Sequence, residues 1–207
     1  MKQTNRREFL KQTGTMLTAG AALGAAWGLH EGASSIQAAE NQTQSSTNQQ
    51  NKKSMKIVIA ADPFAVSLKK SIAAYLKEKG HEVIDVGSTE DKEIPYYECG
   101  PVACKVLQQG KADRAVLMCG TGMGMAIVAN RFKGVTASVV ESVFAAKMCR
   151  VINNANVLCL GAMIWGDWMA KEAVEVFLTT NLADGMPQLA GFLKEAEKKV
   201  AAITPGQ

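Results

Sequence analysis

From residue 55 onward, short and almost wholly apolar runs alternate with longer stretches in which apolar residues recur every three or four positions. The first run, Met55-Lys-Ile-Val-Ile-Ala60, stops at Ala61-Asp62-Pro63 and predicts a buried strand and its turn. Leu68, Ile72 and Leu76 then fall on one face of a helix predicted over 64–79, with lysines on the other face and Gly80 closing it. A second strand is predicted over 81–86, stopped by Gly87. An irregular acidic loop leads to Ile94-Pro95-Tyr96-Tyr97, from which a helix runs to Gln109. Arg114-Ala-Val-Leu-Met-Cys119 predicts a third strand, followed by a glycine turn over 120–124 and a helix to about Arg131. A fourth strand is expected over 136–140, with Ser142 capping a helix to Ile152, and a fifth over 157–160. Two helices, near 167–178 and 187–202, end the chain.

Strands buried on both faces, each followed by a helix, imply an α/β fold: a three-layer, doubly wound, Rossmann-like parallel sheet of five strands. In such sheets a ligand sits beyond the carboxyl ends of the strands, where the strand order reverses. Asp62, the Cys119 turn, Glu141 and the Gly161 turn all lie at those ends. Asp62 and Cys119 face one crevice if the first and third strands are neighbours.

The first 54 residues follow none of this patterning. Asn5-Arg6-Arg7-Glu8-Phe9-Leu10-Lys11, an Ala/Gly-rich apolar stretch over 15–29 and the small pair Ala38-Ala39 read in order as a twin-arginine export signal over 1–39. The apolar stretch is too short and glycine-rich for a convincing membrane span. No cysteine lies near the expected cleavage point, so the expected product is a soluble periplasmic protein. Residues 40–54 are polar and low in complexity, which predicts a disordered linker to a domain over 55–207. Most of the chain's formal charge of +4 belongs to this leading segment (Lys2, Arg6, Arg7, Lys11, Lys52 and Lys53 against three glutamates), so the domain itself is nearly neutral. Its arginines are Arg114, Arg131 and Arg150 alone, which is no nucleic-acid patch.

Cys119-Gly-Thr-Gly-Met-Gly124 is the segment richest in chemistry. Glycines after a strand let backbone approach a ligand, and the following helix start offers free N–H groups that suit a phosphate or an enediolate oxygen. The third glycine comes too early for a dinucleotide-binding turn. A cysteine in this position can act as a thiolate that moves a proton from carbon next to a carbonyl; residue type and position alone leave a buried strand-end cysteine equally open. The five cysteines (Cys99, Cys104, Cys119, Cys149, Cys159) show no Cys-x-x-Cys metal spacing, and most are expected to be small buried hydrophobes. The domain has one histidine, His81.

Met55-Lys-Ile-Val-Ile-Ala-Ala-Asp62, Val83-Ile-Asp-Val-Gly87, Cys119-Gly-Thr-Gly-Met-Gly124 running on to Ala129-Asn-Arg-Phe-Lys-Gly134, and Asn153-Asn-Ala-Asn-Val-Leu-Cys-Leu-Gly161 occur in that order. Together they resemble the ribose-5-phosphate isomerase B and galactose-6-phosphate isomerase family, over essentially 55–180. The resemblance implies a flavodoxin-like sheet, aldose–ketose isomerisation of a small sugar or sugar phosphate, no metal and no cofactor, and a homodimer or homotetramer with shared active sites. It implies Cys119 as the enediol base, residues 120–124 with Thr121 as the oxyanion site (Gly120, Gly122 and Gly124 lining it), Asp62 on sugar hydroxyls, and Asn153 on substrate.

The chain departs from that pattern where phosphate and ring opening are handled. Pro63 and Ile152 stand where the family has histidines, and Leu160-Gly-Ala-Met163 replaces a turn bearing arginine. Ile94 stands for a tyrosine, and no arginine follows Gly185. Bidentate arginines are the usual phosphate anchors, so the expected substrate is a non-phosphorylated sugar or other small polyhydroxy carbonyl compound. A non-catalytic sugar binder on the same fold, and a redox role for Cys119, remain open alternatives. Trp165, Trp168, Met123 and Met125 are expected in the core, Glu141 as a solvated helix-start carboxylate, and Tyr96 and Tyr97 either near substrate or on the surface.

Overall fold

The computed structural model describes residues 54–203; the expected export signal and all but the last residue of the expected linker lie outside the described residues. Five strands form one parallel sheet: β1 (Lys56–Ala61), β2 (Glu82–Asp85), β3 (Arg114–Cys119), β4 (Ala137–Val139) and β5 (Val157–Gly161), in the order β2-β1-β3-β5-β4. The chain leaves β1 toward one edge and returns to add β3 on the other side, so the order reverses between β1 and β3. That reversal opens the crevice in which ligands of such sheets bind.

The helices are α1 (Val66–Glu78), α2 (Tyr96–Gln108), α3 (Met123–Ala129), α4 (Val143–Val151), α5 (Asp167–Thr179) and α6 (Ala190–Ala201). Period-two alternation along the central strands feeds two cores. Ile57, Ile59, Val116, Met118, Leu158 and Leu160 pack against Leu68, Ile72, Leu76 and Phe177, from α1 and α5. Val58, Ala60, Leu117 and Cys159 pack against Cys99, Ala103, Cys104 and Met125, from α2 and α3. Helices thus cover both faces, as continuous apolar runs require.

Boundaries shift from the predicted ones for local reasons. The expected helix over 64–79 starts as a 3-10 turn, Pro63–Ala65, because Asp62 caps it, and the expected 187–202 helix likewise begins with the 3-10 turn Pro187–Leu189. Ser142 caps α4 as expected, its Oγ accepting the Ala145 N–H at 3.1 Å. Two core expectations are corrected. Trp168 is 83% exposed and Met123 is half exposed, whereas Trp165 is buried, with its ring N–H on the Val140 carbonyl at 2.9 Å, and Met125 is buried too. Trp168 lies in the first turn of α5 and Met123 in the first turn of α3, each open to solvent while Ala170 and Met125 of the same helices are buried.

Two of the domain's three arginines serve the fold. Arg114 donates to the Phe177 carbonyl, and Arg150 donates to the carbonyls of Thr180 at 3.2 Å and Ala155 at 2.6 Å. Both guanidiniums stack on the Phe177 ring, 5.3 and 5.8 Å from its centre. The Phe177 and Thr180 carbonyls lie at the carboxyl end of α5, where cations are favoured. Burial, then the neighbouring Arg150, pushes Arg114 down to about 10. Sequence inspection could not have found this, because the acceptors are backbone carbonyls, and those of Phe177 and Thr180 lie 63 and 30 residues from their arginines.

Candidate active site

β1 and β3 are hydrogen-bonded neighbours, with Ala61 opposite Met118, and this brings Asp62 and Cys119 side by side at their carboxyl ends. The Asp62 N–H continues the ladder by donating to the Met118 carbonyl at 3.1 Å. The Asp62 carboxylate is buried and accepts the Phe64 N–H at 3.0 Å. Burial raises its pKa above the ordinary 3.8, against the lowering effect of N–H donors from Phe64 and Ala65.

Cys119 ends β3, only 5% exposed. Its Sγ accepts the Gly122 N–H at 3.1 Å, so the sulfur faces the glycine turn and an amide points at it. Gly122 has φ +79°, a left-handed conformation that aims this N–H back at the sulfur and that a side chain would resist. Thr121 is exposed, and its Oγ1 lies 3.4 Å from the Met123 N–H at the start of α3. The turn is anchored from β5, since the Ala162 N–H donates to the Cys119 carbonyl at 2.8 Å and the Met163 N–H to the Gly120 carbonyl at 2.9 Å.

Burial pushes the thiols of Cys99 and Cys104 up to about 11 and raises those of Cys149 and Cys159. These four remain neutral buried side chains, as the composition suggested. Around Cys119 the walls are apolar or aromatic. Met163 and Phe64 lie over Gly120, and the Tyr96 ring packs on Gly124, crossed edge-on by Tyr97 at 5.4 Å.

A lysine that periodicity had placed on the solvent face belongs to this end of the molecule. Lys69 is 2% exposed, its amine bonded to Asp85 at 2.8 Å and to the Ser88 carbonyl at 2.6 Å. Ser88 Oγ in turn accepts the Ile94 N–H and donates to the Ile94 carbonyl. The buried amine thus fixes the loop that delivers Tyr96 to the glycine turn. The burial shows only once Asp85 and Ser88 are folded around it.

Asn153 does not join Cys119 within one chain. It follows α4 and precedes β5, at the amino-terminal edge of the sheet, whereas Cys119 pairs with Gly161 at the other end of β5. At about 3.3 Å per strand residue, roughly 16 Å of sheet separates the two edges. That amino-terminal edge also carries a groove of about 460 Å³ bordered by Asp113, Lys133 and Asn156. Two of these side chains are engaged within the fold: Asn156 with Thr136 and Gly134, and Asp113 with the Lys56 N–H.

A thiol and a carboxyl at adjacent strand ends, beside the backbone N–H groups of a glycine turn, are what proton transfer in a small carbonyl compound needs. A family model, Ribose/Galactose Isomerase, matches residues 57–189. The chain belongs to the ribose/galactose isomerase family. It is 44% identical over 151 residues to a 4-deoxy-4-sulfo-D-erythrose isomerase of Clostridium sp. (strain MSTE9), covering 72% of this chain and 95% of that protein. A D-erythrulose-4-phosphate isomerase of Pectobacterium atrosepticum is 36% identical over 132 residues, covering 63% and 87%. The crystal structure of a ribose 5-phosphate isomerase from Thermotoga maritima superposes with a TM-score of 0.66 at 32% identity, covering 72% of this chain and 99% of that one. The chain is therefore a sugar isomerase of this family, with its α/β fold.

The buried Asp62 gives a test of the crevice's polarity. A carboxyl whose pKa is raised by folding contributes stability that is complete below the unfolded value near 3.8 and is lost as pH rises through the folded value. Asp62→Asn has no proton to lose, and its amide oxygen can still accept the Phe64 N–H. The variant is expected to melt with the parent protein at pH 3 and above it at pH 7. Melting below the parent at pH 7 would show that the charge is stabilising where it sits.

Proposed function

We propose that this family member is an aldose–ketose isomerase that uses Cys119 as its base and takes a non-phosphorylated small sugar. The observation that carries the reading is the Gly122 N–H on the Cys119 sulfur, beside Asp62 at the β1–β3 reversal. The sulfur removes the proton from C2, and the electron pair left behind forms a C1=C2 double bond. The C1 carbonyl oxygen becomes the oxyanion, which turn amides and Thr121 receive. The hydroxyl proton on O2 passes to O1, the sulfur returns its proton to C1, and C2 becomes the carbonyl. Asp62 holds a sugar hydroxyl.

The substrate's tail follows from the cations. Arg114 and Arg150 are spent on the backbone carbonyls of Phe177, Thr180 and Ala155, so Arg131 is the one arginine of the described residues outside that buried pair. A neutral tail, or a sulfonate with its single negative charge, suits such a site better than a phosphate dianion. The name of the 44% identical relative supports a sulfonate. The placement of Asn153 on the far edge supports a homodimer or homotetramer in which a second copy brings its Asn153 to the site. The twin-arginine pattern supports export to the periplasm, which fractionation of expressing cells would check.

A panel of sugars paired with and without phosphate tests the substrate class. The expected result is a kcat/KM at least about tenfold higher for the non-phosphorylated or sulfonated member, equivalent to about 1.4 kcal/mol of discrimination. Turnover of ribose 5-phosphate alone would reject it.

A further inference from the structure

We infer that the substrate enters this site already in its open-chain form, as a sugar whose C4 carries no free hydroxyl and which therefore cannot close a five-membered ring. This rests on the isomerase reading above and narrows it to a class.

Aldoses of five and six carbons rest as cyclic hemiacetals. Opening the ring breaks the bond between C1 and the ring oxygen, takes a proton from the anomeric hydroxyl and gives one to that oxygen. An enzyme that catalyses this supplies a proton carrier at C1 in addition to the base at C2, a contribution of about 10²–10⁴ in rate.

The side chains at the carboxyl edge assign the available carriers. Cys119 is the C2 base, and Asp62, with Oδ1 held by the Phe64 N–H, is assigned by the reading above to a sugar hydroxyl. After β1 come Pro63 and Phe64, and after β5 come Ala162, Met163, Ile164 and Trp165, none of which titrates. Glu141 after β4 is exposed, and Ser142 beside it is engaged as the α4 cap. Asp167 at the head of α5 is paired with Lys171 at 2.7 Å. From α2 the wall is formed by Tyr96 against Gly124. Over Gly120 lies a hydrocarbon and thioether lid, Met163 and Phe64, the former 69% exposed, and the Tyr96 phenol flanks it across Gly124. The imidazole of the described residues, His81, stands at the other edge of the sheet, where its Nδ1 accepts the Met55 N–H at 3.2 Å. A second copy reaching in with Asn153 would bring Ile152 beside it, another apolar side chain.

A tetrose substituted at C4 needs none of this machinery. Closing a furanose requires the oxygen on C4, and attack by O3 would give a strained four-membered ring, so C1 stays a free or hydrated aldehyde. Two of the relatives named above act, by their names, on four-carbon sugars with C4 occupied by sulfonate or phosphate. The apolar lid and those substrates agree.

The deciding experiment follows loss of the C2 proton signal in D2O for 4-deoxy-4-sulfo-D-erythrose, D-erythrose 4-phosphate, D-ribose and ribose 5-phosphate, at several concentrations of the full-length protein. For a tetrose the exchange rate is expected to rise in proportion to enzyme. For both pentoses it is expected to reach a ceiling set by uncatalysed ring opening, after which more enzyme adds nothing, leaving kcat/KM at least about 100-fold below that of the tetrose. A pentose rate that keeps rising with enzyme past that ceiling overturns the inference while leaving the isomerase reading intact. Exchange on both tetroses alike, with the pentose ceiling, supports the open-chain class and removes only the preference against phosphate. Absence of exchange on all four sugars removes the isomerase reading and this inference with it.

Discussion

Cys119→Ala is expected to lower C2 proton exchange by about 10³-fold or more while leaving the folded protein and its sugar binding in place. General acid–base groups contribute roughly 10²–10⁴ in rate, and here a single sulfur performs both the removal and the return of the proton. The replacement takes away one atom at a nearly buried strand end, and the strand itself is held by backbone ladders to β1 and β5. Its cost in stability is therefore ordinary for a small core truncation, on the order of 1 kcal/mol. Cys119→Ser keeps the shape and the Gly122 N–H partner but replaces the sulfur by a far weaker acid, and is expected to be nearly as slow. Exchange in D2O read by NMR, thermal melting and calorimetric binding of the unreacted sugar separate the possibilities. A variant that keeps more than a tenth of the parental exchange would remove Cys119 as the base. A parent protein that binds sugar without exchanging C2, and a variant that binds equally well, would instead support a carbohydrate-binding protein on an isomerase fold.

The architecture was legible because it rests on local patterning. β3 spans the predicted run to the residue, since six consecutive buried positions bounded by Asp113 and Gly120 admit little else. The adjacency of Asp62 and Cys119 followed once β1 and β3 were taken as neighbours. What escaped detection depends on partners remote in sequence. Lys69 looked solvent-facing because its companions on α1 are lysines, yet Asp85 and Ser88 make its burial tolerable. Arg114 and Arg150 looked like spare cations until the end of α5 was folded over them. Trp168 was expected inside on residue type alone, but it takes the solvent side of a turn whose Ala170 faces the core. Asn153 shows the opposite limit: a linear motif places it in one set with Cys119, and only the topology shows that a single chain holds the two at opposite edges.

Gly161→Ala is expected to disable the site from the strand next door, although Gly161 carries no chemistry. It ends β5 opposite Cys119, and a Cβ there would lie 2.6 Å from the Thr121 carbonyl carbon and 2.7 Å from its Cα. Both sides of this clash are backbone, so no side-chain rotation relieves it, and either β5 or the 120–122 turn must move. Overpacking of this kind typically costs 1–3 kcal/mol. Displacing the turn by about 1 Å would misplace the amides relative to the sulfur, an error worth about 100-fold in rate. Gly120→Ala is the control for the steric reasoning. Its added Cβ meets the end of the exposed Met163 side chain at 3.3 Å, which can swing away, and the backbone there has no positive φ to protect. Thermal melting should therefore fall clearly for Gly161→Ala and little for Gly120→Ala, and exchange by Gly161→Ala should drop about 100-fold even at temperatures where it is fully folded. If Gly161→Ala melts with the parent and keeps its rate, the close approach of β5 to the turn does not hold the thiol's surroundings in place, and the positioning of Cys119 must be sought in β1 and the Asp62 cap instead.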